Sequence, residues 1–330
     1  MSMRKLVFAI VLAFTVVFTV SAGGGGQARG REFPTRPIRV MVPWAAGGSS
    51  DIKVRAIADL SPTYFGVPMI VVNRDGAGGT IGAAEFARMA PDGYNVCMLT
   101  SGVFVTQPLM REVQYELDDF EFIIGLSYEP FVMLVHVDSP WNSVEELVAY
   151  GRRTGRRLFY GGAGIGSFGH MTLAAFFGKA GLDAEAVAFG GGGPTVTALL
   201  GRHIDVASVH PPEALPHVEA GQLRMLGIFS AERCHFLPEL RDVPTFREMG
   251  YDIDMAVSKF FVVPRGTPRE IQERLYQGFS QIMRSERFVR FAEGFRLEVR
   301  AHPGHEALRL LREDIVTTGA VMRELGLAIR

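Results

Sequence analysis

The 330-residue sequence predicts an α/β protein of two domains, and three observations support this fold class. Two separate series of short apolar runs alternate with segments of helical spacing, which is the pattern of parallel strands and their covering helices. Two extended runs without a helix between them join the two series. With 48% hydrophobic residues, the chain is long enough to bury a core in each domain.

The N-terminus predicts an export signal. A basic start at Arg4 and Lys5 precedes an uninterrupted apolar stretch over 6–20, and small residues suited to signal peptidase follow it. The alternative is an uncleaved membrane anchor, but the apolar stretch falls short of the ~20 residues that span a bilayer. We therefore predict a signal peptide over 1–22, a flexible Gly-rich tail over 23–35 and export of the mature protein.

The first series of apolar runs predicts the sheet of the first domain. The segments between its three runs carry helical spacing, so the series is interpreted as a β-α-β-α-β unit. The runs are IRVMVPW at 38–44, MIVVN at 69–73 and NVCMLTS at 95–101.

The second series predicts another parallel sheet with covering helices. Its four runs are separated by segments of helical spacing, as in the first series. The runs are LFYGG at 158–162, AVAFGG at 186–191, IDVASVH at 204–210 and LRMLGIF at 223–229.

The segment FEFIIGLSYEPFVMLVHV lies between the two series and is interpreted as strands that cross from one domain to the other. After the second series, SKFFVVPRG predicts a further strand, and two helices follow, the last from Gly304 to Leu325. These helices have the pattern of elements that return to cover the first sheet. We therefore expect a discontinuous domain 1 over 36–132 and 258–330, a continuous domain 2 over 133–257, and two crossover strands that form a hinge.

Composition disfavours several kinds of partner. The formal net charge is −1 and the basic residues are scattered, whereas a nucleic-acid surface needs a clustered basic face.

Cys97 lies in an apolar run and Cys234 in a polar loop, so we predict two unpaired thiols although export would permit a disulfide. Neither cysteine has a partner at metal-ligand spacing, so the sequence predicts no metal site. No cofactor is predicted.

Four predicted strand ends are rich in glycine and small hydroxyl residues. Ligands of open α/β sheets bind outside the carboxyl ends of the strands, where such loops let the backbone approach closely. Each loop leads into a helix whose first N–H groups are unsatisfied and suit an anion. One Gly-rich loop is commonly a tight turn, but four on the same side of two sheets predict an anion site. The loops are WAAGGSSD at 44–51, TSG at 100–102, GGAGIGSFGH at 161–170 and GGGGPT at 190–195.

The third of these loops also satisfies the dinucleotide pattern G-x-G-x-x-G, at Gly164, Gly166 and Gly169. A dinucleotide fold needs an acidic residue at the end of the next strand, about 20 residues on, to hold the ribose. Here that strand ends in Phe189 and Gly190. An exported protein also does not readily meet such a cofactor. We therefore interpret the glycines as an anion-binding loop rather than a dinucleotide site.

An enzyme is not predicted. Ile165 breaks the G-x-S-x-G pattern that a hydrolase would place around Ser167. His170 falls in the first turn of the next helix and is interpreted as packing and hydrogen-bonding that loop. Asp51 is interpreted as a first-turn carboxylate that accepts from backbone N–H groups.

Several segments resemble the receptors of the tripartite tricarboxylate transporter family, also called Bug receptors. The segment PTRPIRVMVPWAAGGSSDIKVRAIA is similar to the family's first strand and loop, and VVNRDGAGGTIGAAEFARMAPDGY to its second strand and following loop. LLGRHIDVASVHPPEALPHVEAGQLRMLGIFSAER and FFVVPRGTP are similar to its later segments. The similarity runs from Pro37 to the C-terminus, and the combination of VPWAAGGSSD, NRDGAGGTIGA and APDGY is specific.

The resemblance implies a two-lobed periplasmic binding protein of the type II-like, Venus flytrap form, located in a Gram-negative type of periplasm. Such a receptor closes on a small carboxylate and delivers it to a membrane permease with a large and a small subunit. It implies that 47–51 and 164–167 grip one ligand carboxylate through backbone N–H groups, hydroxyls and bridging water. A monomer is expected. The alternative is an exported carboxylate-binding protein that serves as the ligand sensor of a membrane signalling partner.

The chain departs from the family at the cleft. Relatives often have Ser-Pro where this chain has Phe168-Gly169, and Tyr-Lys-Gly-Gly where it has 189–192, and their usual Asp in a later loop is displaced by Val209-His210. With Trp44, Phe168 and Phe260 expected near the cleft, the ligand should be less polar than citrate. The predicted ligand-binding residues are Trp44, Ala46, Gly47, Gly48, Ser49, Ser50, Asp51, Ser101, Gly164, Gly166, Ser167, His170, Gly191, Gly192 and His210.

Overall fold

The computed structural model describes residues 33–234 and 237–324, which form two half-sheets that share one long strand. The predicted signal peptide and most of the predicted tail lie outside the described residues. Within the described ranges, no helix combines the length and apolar character needed to cross a membrane.

The first half-sheet contains three parallel strands at the predicted positions. They are β1 (Ile38–Val42), β2 (Met69–Asn73) and β3 (Asn95–Thr100), in the order β2-β1-β3. Helix α1 (Ser49–Phe65) follows β1, and α2 (Thr80–Phe86) follows β2. The apolar runs form strands here because helices can bury both faces of a parallel sheet.

Two short helices, α3 (Ser101–Phe104) and α4 (Thr106–Met110), lead from β3 toward the long strand β4 (Phe120–His136). The segment predicted to supply separate crossover strands is therefore one strand of 17 residues. Its pairing shifts register between Phe122 and Ile124 and again between Gly125 and Ser127. These irregularities bend a continuous strand instead of ending it.

The second half-sheet contains β5 (Leu158–Gly162), β6 (Ala184–Ala188) and β7 (Val206–Val209), which are parallel in the order β6-β5-β7. The prediction that β8 (Leu223–Phe229) continues this parallel sheet is wrong. The second part of β4 pairs antiparallel with β7 on one side and with β8 on the other. The residues of β4 from 130 to 135 are all buried, which suits this central position between two strands.

Four helices connect the successive strands of the second half-sheet, and the local sequence explains the bounds of the first of them. The N-cap Ser143 accepts a hydrogen bond from the Glu146 N–H, and Gly155 ends the same helix in the left-handed conformation. The four are α5 (Val144–Thr154), α6 (Phe168–Ala180), α7 (Gly192–Leu200) and α8 (Pro211–Glu219).

The chain then returns to the first half-sheet through β9 (Ala256–Pro264), which lies between β3 and the first part of β4 and is antiparallel to both. Helices of this last segment pack against α1 and β4, as predicted. They and a short strand are α9 (Arg269–Arg284), α10 (Glu286–Gly294), β10 (His302–Pro303) and α11 (Gly304–Glu324). Leu325, the predicted end of the last helix, lies outside the described residues.

Both cysteines lie within the described ranges and are buried, and no disulfide joins Cys97 to Cys234. That they remain unpaired after export stays a prediction. Burial alone raises the pKa of Cys97 well above its ordinary value, which makes this thiol unreactive at neutral pH.

Asp314 of α11 gives a pH-dependent prediction. Burial raises the pKa of its carboxyl to about 6 although Ser258 Oγ donates a hydrogen bond to it at 3.3 Å. Because the folded protein keeps this proton to a higher pH than the unfolded chain, the free energy of unfolding falls as pH rises from about 4 to about 6. We expect Asp314→Asn to be more stable than wild type at pH 7.5 by about 1 kcal/mol, a value reduced for the partial exposure of the group.

Urea denaturation at pH 7.5 and pH 4 checks this expectation, since the advantage of Asp314→Asn should vanish at the lower pH. An advantage of equal size at both pH values would show that ionisation of Asp314 is not its cause.

Candidate ligand-binding cleft

A cavity lies where the carboxyl ends of strands from the two half-sheets face each other. It has a volume of about 50 Å³, several times the roughly 10–15 Å³ that one water molecule needs by the same measure. The residues after β1 and β3 form one side of it, and the residues after β5 and β7 form the other. The cavity therefore occupies the position where ligands bind in open α/β sheets.

The structure divides the predicted site residues into two groups. One group lines the cavity and comprises Trp44, Gly48, Ser49, Ser50, Ser167, Gly192 and His210. The other group is outside the cavity lining and comprises Ala46, Gly47, Asp51, Ser101, Gly164, Gly166, His170 and Gly191.

Asp51 holds the loop after β1 in shape. Its carboxylate accepts hydrogen bonds from the Gly47 N–H at 3.0 Å, from Arg55 Nε at 2.9 Å and from Asn73 Nδ2 at 3.0 Å. Burial opposes ionisation of Asp51, but these hydrogen bonds outweigh it and lower its pKa below the ordinary value. The carboxylate thus acts on the backbone of the loop, as the sequence predicted.

The loop after β5 contacts the other half of the molecule through its backbone. Gly164 has a φ of +99°, and a Cβ there would lie 2.9 Å from the Gly78 backbone nitrogen. The Gly166 carbonyl accepts a hydrogen bond from Thr106 Oγ1, and Arg111 donates to the Ile165 carbonyl at 3.0 Å. The glycines of the dinucleotide-like pattern therefore allow two loops to approach each other closely.

His170 positions the same loop. Its Nδ1 accepts a hydrogen bond from the Gly166 N–H at 3.2 Å, so the neutral ring carries its proton on Nε2. Burial, with a smaller contribution from Arg111, lowers the pKa of His170 to about 4. The ring is therefore neutral near pH 7, and the predicted hydrogen bond to the loop is confirmed.

Ser167 joins the loop to the cavity. It is the N-cap of α6, and its hydroxyl oxygen accepts from the His170 N–H at 3.2 Å. Ser167 also lines the cavity, and the proton of its hydroxyl remains available to an acceptor there.

Three aromatic side chains make part of the cavity wall apolar: Trp44, Phe131 and Phe168. Phe131 also packs on His210, with ring centroids 4.1 Å apart. The expectation that Phe260 lies at the cleft is wrong, because its ring packs on Phe122 with a centroid distance of 4.8 Å and lines a separate cavity behind the crossover strands. Alternation along β9 turns this ring away from the cleft.

A buried ionic cluster lies beside the cavity. Lys53 Nζ is 2.5 Å from Glu129 Oε1, and Lys259 Nζ is 2.6 Å from Glu129 Oε2. Lys259 also donates to the hydroxyl of Ser49, and Lys53 donates to Ser127 Oγ at 2.5 Å. The three charged side chains are at most 4% exposed. They connect α1 to both β4 and β9.

The charges in this cluster shift one another's ionisation. Burial lowers the pKa of Lys53 to about 8, although Glu129 opposes the shift. Burial disfavours the ionised form of Glu129, but Lys259 and Lys53 together lower its pKa well below the ordinary value. Glu129 is therefore an anion between two cations, of which Lys259 also interacts with the carboxylate of Glu213.

His210 lines the cavity as a neutral side chain. Burial and the nearby Lys259 lower the pKa of His210 to about 3. Its Nδ1 is 3.0 Å from the Pro130 carbonyl oxygen, which can only accept, so Nδ1 carries the proton. The other ring nitrogen is then an acceptor.

Glu213 is a cavity residue that the sequence reasoning missed. It lies in the first turn of α8, and an acidic residue at that position is expected from the sequence to be an ordinary solvated carboxylate. Its side chain is instead buried, and burial raises its pKa above the ordinary value. Other cavity residues outside the predicted set are Gly78, Thr100, Gly102, Ala163, Ser208, Val209 and Val257.

Comparison with known proteins identifies the family. The family model described as the tripartite tricarboxylate transporter family receptor matches residues 54–327. This chain belongs to that family. The predicted resemblance to Bug receptors is confirmed, and the family and its structural neighbours are substrate-binding receptors rather than enzymes.

Solved structures of similar proteins share the fold. Periplasmic binding protein BugD has a TM-score of 0.84 at 26% identity, over 90% of this chain and 99% of that one. The Rhodopseudomonas palustris protein Rpa4515, with adipate, has a TM-score of 0.84 at 29% identity, over 90% and 99% of the chains. MatC from R. palustris, with bound malate, has a TM-score of 0.81 at 27% identity, over 88% and 99%. The receptor thus has the two-lobed α/β fold of periplasmic binding proteins.

The ionic cluster gives a stability prediction. Glu129→Gln leaves the buried ammonium groups of Lys53 and Lys259 without their counter-charge, which should lower the free energy of unfolding by about 3–5 kcal/mol. Urea denaturation at pH 7 measures the loss. As a control, Glu286→Gln removes an exposed pair with Arg290 and should change stability by less than about 0.5 kcal/mol. Equal stability of Glu129→Gln and wild type would contradict the assigned role of the cluster.

Proposed function

We propose that this receptor binds a small carboxylate in the cavity between its lobes and delivers it to a tripartite membrane permease. The observation that supports the proposal most directly is the position of the cavity, at the first residues of α1 and α6 and between two half-sheets. Helix N-termini present N–H groups and a positive dipole end to an anion. Family membership and the relatives with adipate and malate support a carboxylate as that anion.

The lobes of the proposed receptor are 36–132 with 258–330, and 133–257. The connectivity supports this division, because the two half-sheets share β4 and the chain returns through β9. Hydrogen bonds between the lobes include the Ala45 N–H to the Gly190 carbonyl at 2.9 Å. We propose that such contacts form when the lobes close by a hinge motion at the crossover strands.

The proposed carboxylate grip uses hydroxyls and backbone N–H groups instead of a cation in direct contact. Ser50 and Ser167 face the cavity from opposite lobes, whereas the Ser49 hydroxyl already accepts from Lys259. Lys259 acts on a bound anion through Ser49, because its ammonium group donates a hydrogen bond to the Ser49 hydroxyl. We also propose that the signal peptide is cleaved near residue 22 and that the mature protein is exported to the periplasm. A permease partner would receive the ligand in that compartment.

Ser167→Ala tests the grip. Loss of a hydrogen bond to a charged group should weaken binding by about 1.5–3 kcal/mol, which is roughly ten- to more than a hundredfold in Kd. The measurement is calorimetric titration with the tightest carboxylate from a thermal-shift screen of small mono- and dicarboxylates.

The matched control is Ser143→Ala, which removes an equivalent N-cap from α5, away from the cavity. Both variants should lose about 1 kcal/mol of stability, but only Ser167→Ala should lose affinity. The grip is contradicted if both variants bind like wild type. If no small carboxylate raises the melting temperature of wild type, the proposed function is itself wrong.

Gly164→Ala tests whether the lobes must approach closely. Its Cβ would lie 2.9 Å from the Gly78 nitrogen in the other lobe, so the variant should resist closure and bind ligand at least tenfold more weakly. Gly155→Ala is the control because Gly155 also has a positive φ, of +62°, but its Cβ would meet nothing within 4 Å. If the two variants bound ligand with equal affinity, close contact between the lobes would not be required for binding. A shared loss of affinity would then be due to backbone strain at a glycine of positive φ.

A further inference from the structure

Glu213 belongs to one lobe, but its carboxylate lies at the start of helix α1 in the other lobe. Its Oε1 accepts a hydrogen bond from the backbone N–H of Ser49, the first residue of α1, at 2.6 Å. Its Oε2 accepts from the His210 N–H at 3.0 Å, in its own lobe. One side-chain carboxylate thus makes the bridge between lobes that a bound ligand carboxylate would make.

The surrounding backbone leaves room for this carboxylate. A Cβ at Gly192 would lie 2.2 Å from Glu213 Oε2, and a Cβ at Gly48 would lie 3.1 Å from Oε1. Any side chain at Gly192 would therefore occupy the position of the carboxylate. Glycines from both lobes enclose it, so its place in the cleft is a built feature of the packing.

The charges around the cavity determine whether a ligand carboxylate can lie beside Glu213. Among the described residues that line the cavity, Glu213 is the one ionisable acid, and no Lys or Arg joins it there. The buried ammonium groups of Lys53 and Lys259 contact Glu129 from beside the cavity. Glu129 and Glu213 together balance these two cations. A ligand carboxylate placed against Glu213 would therefore meet a like charge without an additional cation to offset it.

The remaining wall of the cavity suits a different group. Trp44, Phe131 and Phe168 line it with aromatic surface, while Ser167 supplies a hydroxyl. A ligand with one carboxylate and an apolar body can direct its carboxylate to Ser167 and its body to these rings. Ser50 also lines the cavity, but it follows Ser49 at the start of α1, where Glu213 already accepts a hydrogen bond. A second carboxylate of a diacid would therefore meet the charge of Glu213 there.

We propose that Glu213 determines the ligand class of this receptor. Its side chain occupies, from within the protein, the position at the start of α1 that a second ligand carboxylate would take, so that the cleft selects monocarboxylates with an apolar body over dicarboxylates of equal length. The inference rests on the proposed function and specifies the ligand class of the same site.

The test compares matched acids, namely butyrate with succinate, pentanoate with glutarate and hexanoate with adipate, by calorimetric titration at pH 7.5. Wild type should bind the monocarboxylate of the best pair at least tenfold more tightly than the dicarboxylate. Glu213→Ala should improve the affinity for the dicarboxylate at least tenfold and reverse the preference, because it frees the Ser49 N–H and removes the like charge. Glu213→Gln keeps the size of the side chain, and it should shift the preference in the same direction by a smaller factor.

The control variant is Glu146→Gln, whose carboxylate accepts from the Asn142 N–H at 2.7 Å near the start of α5, away from the cavity. It should leave the ratio of affinities unchanged. Melting temperatures without ligand show whether each variant folds, and Glu213→Gln serves as the reporter if Glu213→Ala does not. A wild-type preference for the dicarboxylates, or a ratio that the Glu213 variants leave unchanged, overturns the proposal. Absence of binding to every acid by wild type instead overturns the proposed function, and the inference with it.

Discussion

The ion cluster of Lys53, Glu129 and Lys259 is the interaction on which the cleft depends. Each of its side chains comes from a different element, namely α1, β4 and β9, and all three are almost fully buried. Removing such charges from water is unfavourable by several kcal/mol for each ion, so the cluster persists only while every partner is in place. It therefore fixes the first turn of α1 relative to the two crossover strands. Ser49, which accepts from Lys259, is held at the cavity by the same constraint.

The cluster also explains how the proposed anion site can lack a cation in direct contact among the described residues that line it. A lysine ammonium pointing into the cavity would bind many anions and would hold water strongly. Here the ammonium groups contact Glu129, and the cavity meets N–H groups, hydroxyls and aromatic rings. Such a wall depends on geometry for its selectivity. Loop shape, set by Asp51 in one lobe and His170 in the other, thus becomes as important as charge.

The fold was largely predictable because its local signals are strong. The strands at 69–73, 158–162 and 223–229 lie within the predicted bounds, since apolar runs there end at turn residues. The place of β8 was not predictable in this way. Its partner is β4, and pairing between distant segments leaves no mark in the periodicity of either strand. Apolar runs specify that strands exist, whereas their order depends on contacts across the whole chain.

The residues of the candidate site could be predicted only where one segment of the chain contains its chemistry. The Gly- and Ser-rich loops can be recognised because glycine together with hydroxyl residues at the start of a helix is typical of anion-binding loops. This pattern predicted Ser49 and Ser167, which both line the cavity. Glu129 and Lys259 left a weaker signal, a charge inside the apolar runs LSYEPFVMLV and SKFFVVP. Glu213 left none, because its partner Ser49 is 164 residues away in the chain.

Glycine at the cleft is required by close contacts with other segments of the chain, between lobes at Gly164 and within one lobe at Gly192. Gly164 faces the backbone of Gly78, and Gly192 faces the carboxylate of Glu213. Neither position has space for a Cβ, and the obstacle in each case belongs to another segment of the chain. A dinucleotide loop uses glycine so that the backbone can approach a pyrophosphate. In this receptor, glycine in the same local pattern lets the backbone of one lobe approach the other lobe. The sequence pattern G-x-G-x-x-G therefore suggests a dinucleotide cofactor that the surrounding residues do not support.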